Sequence, residues 1–282
     1  KGRSVNLQKL VTTNIERCLK KEKKLNEVLE KCNLKDDIKI KGDLLTSYIY
    51  SIKKGDTSFT TVNFFSEDGE EITIPLDENK TPSENVQIYY KKYNKLKKSE
   101  ESAIEQLEKN EYELKYLNSV LTNIENCECY AEIDDIKEEL ISTGYVRKRK
   151  VNGKNKKSNP SKPLHFISSD GIDIFVGKNI QNDHLSLKFA NKNYMWLHTK
   201  NIPGSHVIVC STDIPDNTLI EAAVLAAHYS KAKESSKVDV DYTLVKNLKK
   251  PNGANPGMVI YHTNYTMTVE PSEINNLNIV RS

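Results

Sequence analysis

Apolar residues recur at helical spacing through the first half of the chain. Val11, Ile15, Cys18, Leu25, Leu29 and Cys32 lie three, four or seven positions apart, which places them in one stripe on a helix. Gly42-Asp43 opens a second helical pattern. In it Leu44, Leu45, Tyr48, Ile49 and Ile52 share a face, and Gly55 supplies a stop. Two β-rich runs follow, residues 60–65 and 71–76, flanking the turn signal Glu67-Asp68-Gly69. Thr81-Pro82-Ser83-Glu84 then reads as a helix start, with Thr81 or Ser83 as cap and Pro82 in the first turn. From there Tyr93, Leu96, Ala103, Leu107, Leu114, Leu117, Leu121 and Ile124 follow a heptad seam, interrupted at Glu100 and Asn110. No Gly or Pro falls between Pro82 and Gly144. The pattern predicts a helix over about 83–126, roughly 66 Å long at the α-helical rise.

Such a helix cannot bury its stripe alone and needs a partner. Residues 5–54 have a similar length and a stripe of their own. The expected arrangement over 1–143 is therefore a long antiparallel two-helix coiled-coil stalk with a β-hairpin tip near 57–80. A hairpin turns the chain back on itself, which favours this over a parallel dimer. Past residue 163 the pattern changes to short strands, at 164–168, 172–176, 195–198, 206–210, 240–245, 258–261 and 266–269. A short helix over about 182–190 and an Ala-rich one over 216–232 interrupt them, the latter with Asp213 or Asp216 as cap. Strands and helices do not alternate regularly, so the class is α+β, ending in a compact mixed α/β domain over 164–282.

Charge adds the boundary. The net charge of +3 over 282 residues says little. Its distribution says more. Residues 144–163 carry Arg147, Lys148, Arg149, Lys150, Lys154, Lys156, Lys157 and Lys162 with no acidic residue among them. That stretch reads as a basic linker that binds polyanions by releasing their counterions, or as a merely solvated one. No run of about 18 apolar residues exists, so no membrane-spanning segment is expected. No signal-peptide core follows Lys1-Gly2-Arg3-Ser4, and the absence of an initial Met suggests a fragment. Five scattered Cys argue against a disulfide framework and for a reducing compartment.

Candidate chemistry is sparse. Cys127-Glu128-Cys129 lacks the second ligand pair that structural zinc needs. The six His show no metal-ligand spacing, Asp170, Asp173 and Asp183 read as a solvated group, and no nucleophile elbow or phosphate loop is present. The expectation is a protein with no catalytic residue, no metal and no cofactor. Binding signals are better. Trp196, His198, Lys200, Gly204, Ser205 and His206 surround a Pro-Gly turn, and Lys237, Lys246, Lys249 and Lys250 follow. Cations engage phosphates and aromatics stack on unpaired bases, which makes these residues and the basic run an RNA-binding set. Trp196 reads equally as a core anchor, and each His as a hydrogen-bonded structural residue.

Longer strings carry a resemblance. Residues 192–208, Lys-Asn-Tyr-Met-Trp-Leu-His-Thr-Lys-Asn-Ile-Pro-Gly-Ser-His-Val-Ile, and Val238-Asp239-Val240-Asp241-Tyr242-Thr243 resemble the RNA-binding domain of the NFACT family. Gly42-Asp43-Leu44-Leu45-Thr46, Ile74-Pro75-Leu76-Asp77 and Pro82-Ser83-Glu84-Asn85-Val86-Gln87 resemble its coiled-coil middle region. The resemblance implies a cytoplasmic factor of ribosome-associated quality control. Its partners would be the rRNA of an obstructed large ribosomal subunit and tRNA, alanyl-tRNA in bacterial members, in support of template-free C-terminal alanine tailing. It also implies a further N-terminal domain, needed for tRNA recruitment, which this sequence lacks; the docking half is what is expected here. An older label for the family gives the alternative, a surface adhesin that binds fibronectin.

Overall fold

The computed structural model describes residues 2–149, 161–178 and 181–282. Helices and a large antiparallel sheet are both present, so the class is mixed α and β as expected. The chain forms two compact units, one of Arg17–Glu113 and one of Lys1–Glu16 with Leu114–Ser282. Helices α1 (Gly2–Cys32) and α3 (Pro82–Glu125) contribute residues to both.

Within Arg17–Glu113, the start of α3 is the capping box its sequence suggests. Thr81 Oγ1 accepts from the Glu84 amide at 3.1 Å, and the Glu84 carboxylate accepts from the Thr81 amide at 3.2 Å. Strand β1 (Ser58–Val62) pairs antiparallel with β2 (Glu71–Pro75), Ser58 opposite Pro75 and Val62 opposite Glu71. Leu44, Leu45, Ile52, Ile74, Val86 and Tyr89 form the core of this unit.

The second helical pattern begins earlier than Gly42. Helix α2 runs Lys35–Ser47, after a break at Asn33-Leu34, so Gly42 lies inside it and Gly55 lies beyond a short 3-10 turn, Ile49–Ser51. Glycine is tolerated there because a Cβ would meet the Tyr90 ring at 3.0 Å. The absent side chain lets the ring close on the helix, and the Tyr90 hydroxyl donates to Asp43 at 2.7 Å.

The larger unit is built on a seven-stranded sheet in the order β8-β7-β5-β6-β4-β3-β9. The strands are β3 (Leu164–Ile167), β4 (Asp173–Val176), β5 (Met195–Thr199), β6 (Val207–Val209), β7 (Val238–Leu244), β8 (Tyr265–Val269) and β9 (Val280–Arg281). All neighbours pair antiparallel. The expected strand at 258–261 is only a bridge between Ile260 and Lys249. Period-two alternation sorts the two faces. Leu197, Val207, Val209, Ile174 and Val240 pack with the Ala-rich helix α6 (Asp216–His228), whose Ala222, Ala223, Ala226 and Ala227 are fully buried. Neither Asp213 nor Asp216 caps α6, because Pro215 occupies the cap position. Trp196, Ile208, Leu185, Val245 and Leu248 form the opposite layer. Leu185 belongs to a short helix, α5 (Gln181–Asp183), which continues as a π-helical turn over His184–Phe189.

Helix α4 (Tyr130–Ser142) belongs to the same unit, so the border expected at residue 143 falls inside it. Polar contacts across that border are dense. Lys178, 2% exposed, donates to the Asn126 carbonyl at 2.6 Å and pairs with Glu132 at 3.5 Å, while Asn126 donates to the Tyr229 carbonyl at 2.9 Å. Arg281 forms a two-pronged pair with Glu128.

Candidate nucleic-acid interface

The strand–turn–strand signature forms the middle of the sheet. Strand alternation sends Trp196 and His198 to the face opposite α6, and their rings stack at 5.7 Å. The rings of His206 and Tyr261 meet the indole edge-on at 5.3 and 5.0 Å. Trp196 is only 1% exposed, which corrects the reading of it as a surface stacking platform. It is the anchor of the second layer, yet its indole nitrogen has no hydrogen-bond partner among the described residues.

Both histidines are bonded into the frame. His206 Nε2 lies 3.0 Å from the Gly257 carbonyl, so it carries the hydrogen, and Nδ1 accepts from the Ser186 hydroxyl at 2.8 Å. Burial holds the His206 imidazole down to about 3, hence neutral. His198 Nδ1 donates to the Thr199 carbonyl at 2.7 Å, and burial lowers its pKa too. Ser205 and His206 are buried, so neither presents a polar group to solvent. Gly204 is required by space: a Cβ there would meet Thr199 Oγ1 at 2.8 Å and Ser230 Cβ at 3.2 Å.

The lysines divide into two groups. Lys200, Lys237, Lys246 and Lys249 are exposed, as are Lys192 and Lys231. The Lys200 amide donates to the Asp239 carbonyl and that of Lys231 to the Pro203 carbonyl, which gathers Lys200, Lys231 and Lys237 at the Pro-Gly end of the β5–β7 pair. The Lys246 amide donates to the Lys192 carbonyl, placing Lys192 and Lys246, with Lys249 three residues on, at the other end. Lys250 departs from the expected set, because its ammonium is held by Asp183 at 2.7 Å and the Asn255 carbonyl at 2.8 Å. Arg147, Lys148 and Arg149 follow α4 and are exposed. Lys150, Lys154, Lys156 and Lys157 lie outside the described residues.

The acidic residues read as a solvated group have separate partners. Asp173 accepts from His165, Asp170 from Thr218 and Asp183 from Lys250. Among the described residues no His, Cys, Asp or Glu cluster has the makings of a metal site. No described helix is long and apolar enough to cross a membrane.

Sequence reasoning missed a cavity of about 200 Å³ beside the signature. Trp196, His198, Gly204 and Tyr261 line it from the sheet side, and Asn123 of α3 and Glu139 of α4 from the helical side. Asn123 and Glu139 are 3% and 2% exposed, and each keeps one side-chain oxygen without a partner among the described residues. Burial pushes the Glu139 carboxyl up to about 7. One signal was available. Glu132 and Glu139 lie seven residues apart and share a helical face with Ile133, Ile136 and Leu140, which marks both carboxylates as buried.

Comparison with known proteins agrees with this geometry. The NFACT N-terminal and middle domains match residues 1–159, and the NFACT protein RNA binding domain matches residues 162–263. Rqc2 homolog RqcH of Bacillus subtilis (strain 168) is 39% identical over 274 residues, 96% of this chain and 48% of that protein. The Streptococcus suis (strain 05ZYH33) protein of the same name is 39% identical over 270 residues, 95% of this chain and 48% of its own length. This chain thus spans about half the length of the curated relatives it matches. The solved C-terminal part of the fibronectin/fibrinogen-binding protein from Streptococcus suis is 33% identical, with a TM-score of 0.77 and 98% of each chain covered. With one family domain covering more than half its length and a second covering most of the remainder, this chain belongs to the NFACT family.

Proposed function

We propose that this chain is the RNA-docking part of a ribosome quality-control factor, cytoplasmic and bound to the large ribosomal subunit. The observation that carries the reading is the RNA-binding domain match over residues 162–263, on a sheet whose exposed lysines gather at its two strand ends. The name borne by the Bacillus and Streptococcus relatives supports the quality-control setting. In this reading the part contacts large-subunit rRNA and tRNA. It supports template-free alanine tailing by positioning the factor on an obstructed subunit. It performs no chemistry itself, so catalysis is not assigned to any of its residues.

The helices of Arg17–Glu113 serve in this reading as an antiparallel coiled-coil arm with a hairpin tip. Three contacts support the antiparallel sense: Arg17 with Glu113, Asn110 with the Cys18 carbonyl, and Lys35 with Glu100. The arm would reach along the subunit while the sheet domain lies on RNA. The segment after α4 is assigned as the basic linker that leads into the sheet.

Co-sedimentation with isolated large subunits at two salt concentrations tests the proposal. Phosphate contacts release counterions, so binding is expected to fall steeply with salt, by about tenfold or more between 50 and 200 mM. Replacing Arg147, Lys148 and Arg149 together with Ala is expected to weaken it further and to flatten the salt slope. Affinity indifferent to both changes would sink the reading. Fibronectin binding, which the description of the streptococcal structure gives for that protein, is the less supported alternative. Binding to immobilised fibronectin with no association to subunits would reverse that order.

A further inference from the structure

The cavity beside the signature is not explained by phosphate contacts. Its walls are flat and apolar: the indole of Trp196, the imidazole of His198, the phenol of Tyr261, and Pro203 and Met258. Three of its lining side chains carry a buried polar atom left unsatisfied. Trp196 Nε1, Asn123 Oδ1 and Glu139 Oε1 are all shut off from solvent, and none has a hydrogen-bond partner among the described residues. Native proteins leave few such groups, because each forfeits its hydration without compensation. Three on the walls of one cavity is a concentration that packing does not account for. Glu139 Oε2, by contrast, is satisfied by the Tyr116 hydroxyl at 2.8 Å, so the frame around the free oxygen is fixed.

The inventory of free groups selects a ligand chemistry. Two acceptors, the carboxamide oxygen and, once the Glu139 carboxyl ionises above about pH 7, its free oxygen, call for a ligand with hydrogen-bond donors. One indole N–H calls for an acceptor on the same ligand. The apolar, aromatic walls call for a flat ring, and the volume limits it to about one or two rings. An exocyclic amine beside a ring nitrogen meets all four demands, and adenine, cytosine and guanine carry that pair whereas uracil does not. Exposed Lys115 and Asn201 also line the cavity, and Lys200 and Lys231 stand at the same Pro-Gly end of the strands, where a sugar–phosphate backbone would run. Unpaired RNA bases are commonly read this way, splayed from the strand and held by their edges.

We propose that this cavity receives one unstacked, amine-bearing nucleobase of single-stranded RNA, its amine donating to Asn123 and Glu139 and its ring nitrogen accepting from Trp196. The proposal rests on the RNA-docking reading above and gives it base selectivity. The geometry also supplies a reporter, since Trp196 is the chain's only Trp and lines the site.

Trp196 fluorescence of the 282-residue chain, titrated at pH 8, where Glu139 is ionised, with ten-nucleotide oligo-A, oligo-C and oligo-U, tests it. Saturable change with oligo-A and oligo-C is expected, with oligo-U about tenfold weaker, the discrimination a well-made edge contact gives. Asn123→Leu removes one acceptor at similar volume, and Glu139→Gln keeps an acceptor for Tyr116 while neutralising the carboxyl. Each is expected to erase most of the A-over-U preference. Should Asn123→Leu fail to fold by circular dichroism, Ser119→Phe, which fills the cavity from a partly exposed position on α3, takes its place and is expected to abolish the fluorescence change. Equal response to all three oligomers, or a preference unchanged by the variants, overturns the cavity assignment. So does a silent Trp196 in a protein that still co-sediments with large subunits, which leaves the docking reading standing. Selective response without co-sedimentation does the reverse.

Discussion

The hydroxyl of Tyr116 donates to Oε2 of Glu139 at 2.8 Å, joining α3 to α4 through a carboxyl that burial pushes from 4.5 up to about 7. The sign of the resulting pH dependence follows from the two states. Between pH 4.5 and about 7 the folded protein keeps this proton and the unfolded chain has released it. The contribution is therefore fully present below 4.5 and is lost as pH rises through about 7, by on the order of 3 kcal/mol. His206 works the other way. Its imidazole is held down to about 3, so stability falls as pH drops from 6.5 toward 3. Glu139→Gln isolates the first effect, because His206 is common to both proteins and cancels in the difference. Urea unfolding at pH 5 and pH 8 is expected to show the variant gaining roughly 3 kcal/mol on the parent at the higher pH. A difference that does not move with pH would remove Glu139 from the buried acids.

Lys178 and Glu132 are expected to behave as a buried pair that is costly to halve. Lys178 donates to the Asn126 carbonyl and stands 5.7 Å above the Tyr229 ring, and Glu132 also accepts from the Glu128 amide at 2.7 Å. Lys178→Met leaves the carboxylate buried beside an apolar chain, at a cost of about 3–5 kcal/mol. Adding Glu132→Gln removes the charge and keeps the acceptor for Glu128, so the double variant is expected to recover more than half of the loss. Thermal unfolding of the two variants checks this. A double variant no better than the single one would mean that Lys178 acts through packing alone.

Local signals are legible in the sequence where one residue type does one job. Thr81-Pro82 announces the helix start, and the Pro-Gly turn between two short runs announces the pairing of β5 with β6. Gly42 lies inside α2 although glycine signals a break locally, because Tyr90, 48 residues on, supplies the reason for it. The role of Trp196 is not legible from the sequence, since composition does not tell a ring that stacks on a base from one that anchors a layer. The cavity was invisible for a related reason. Asn123 and Glu139 stand more than 50 residues before Trp196 and Tyr261, and only the packing of α3 and α4 against the sheet joins them. Lys250 looked like its neighbour Lys249, and its capture by Asp183 is a tertiary fact.

Adjacent residues of the Pro-Gly turn are expected to respond with opposite signs. Gly204→Ala pushes a methyl to 2.8 Å from Thr199 Oγ1, whose hydroxyl is fixed on the Ile202 carbonyl at 2.8 Å and cannot swing away freely. Overpacking of this kind costs about 1–3 kcal/mol. Ser205→Ala instead deletes a buried hydroxyl that has no partner among the described residues, and is expected to be neutral or to stabilise by up to about 1 kcal/mol. Chemical denaturation of both variants decides the matter. Equal losses would show that the turn resists any change in size rather than this particular close approach.

Asn110 poses the same question in the other unit. It interrupts an apolar seam, is 3% exposed, donates to the Cys18 carbonyl at 2.9 Å, and leaves its own Oδ1 without a partner among the described residues. A buried Asn in such a seam fixes the register of paired helices at a cost in stability. Asn110→Leu fills the same space without a polar atom, and the Cys18 carbonyl sits within helix α1, where the helical ladder still serves it. The variant is therefore expected to stabilise the protein by about 1 kcal/mol, whereas Asn110→Ala leaves a void and is expected to cost about 2 kcal/mol. Thermal unfolding of the pair separates the two contributions. If Leu destabilises as much as Ala does, the bond to Cys18 outweighs the unpartnered oxygen, and Asn110 stabilises these helices rather than only setting their alignment.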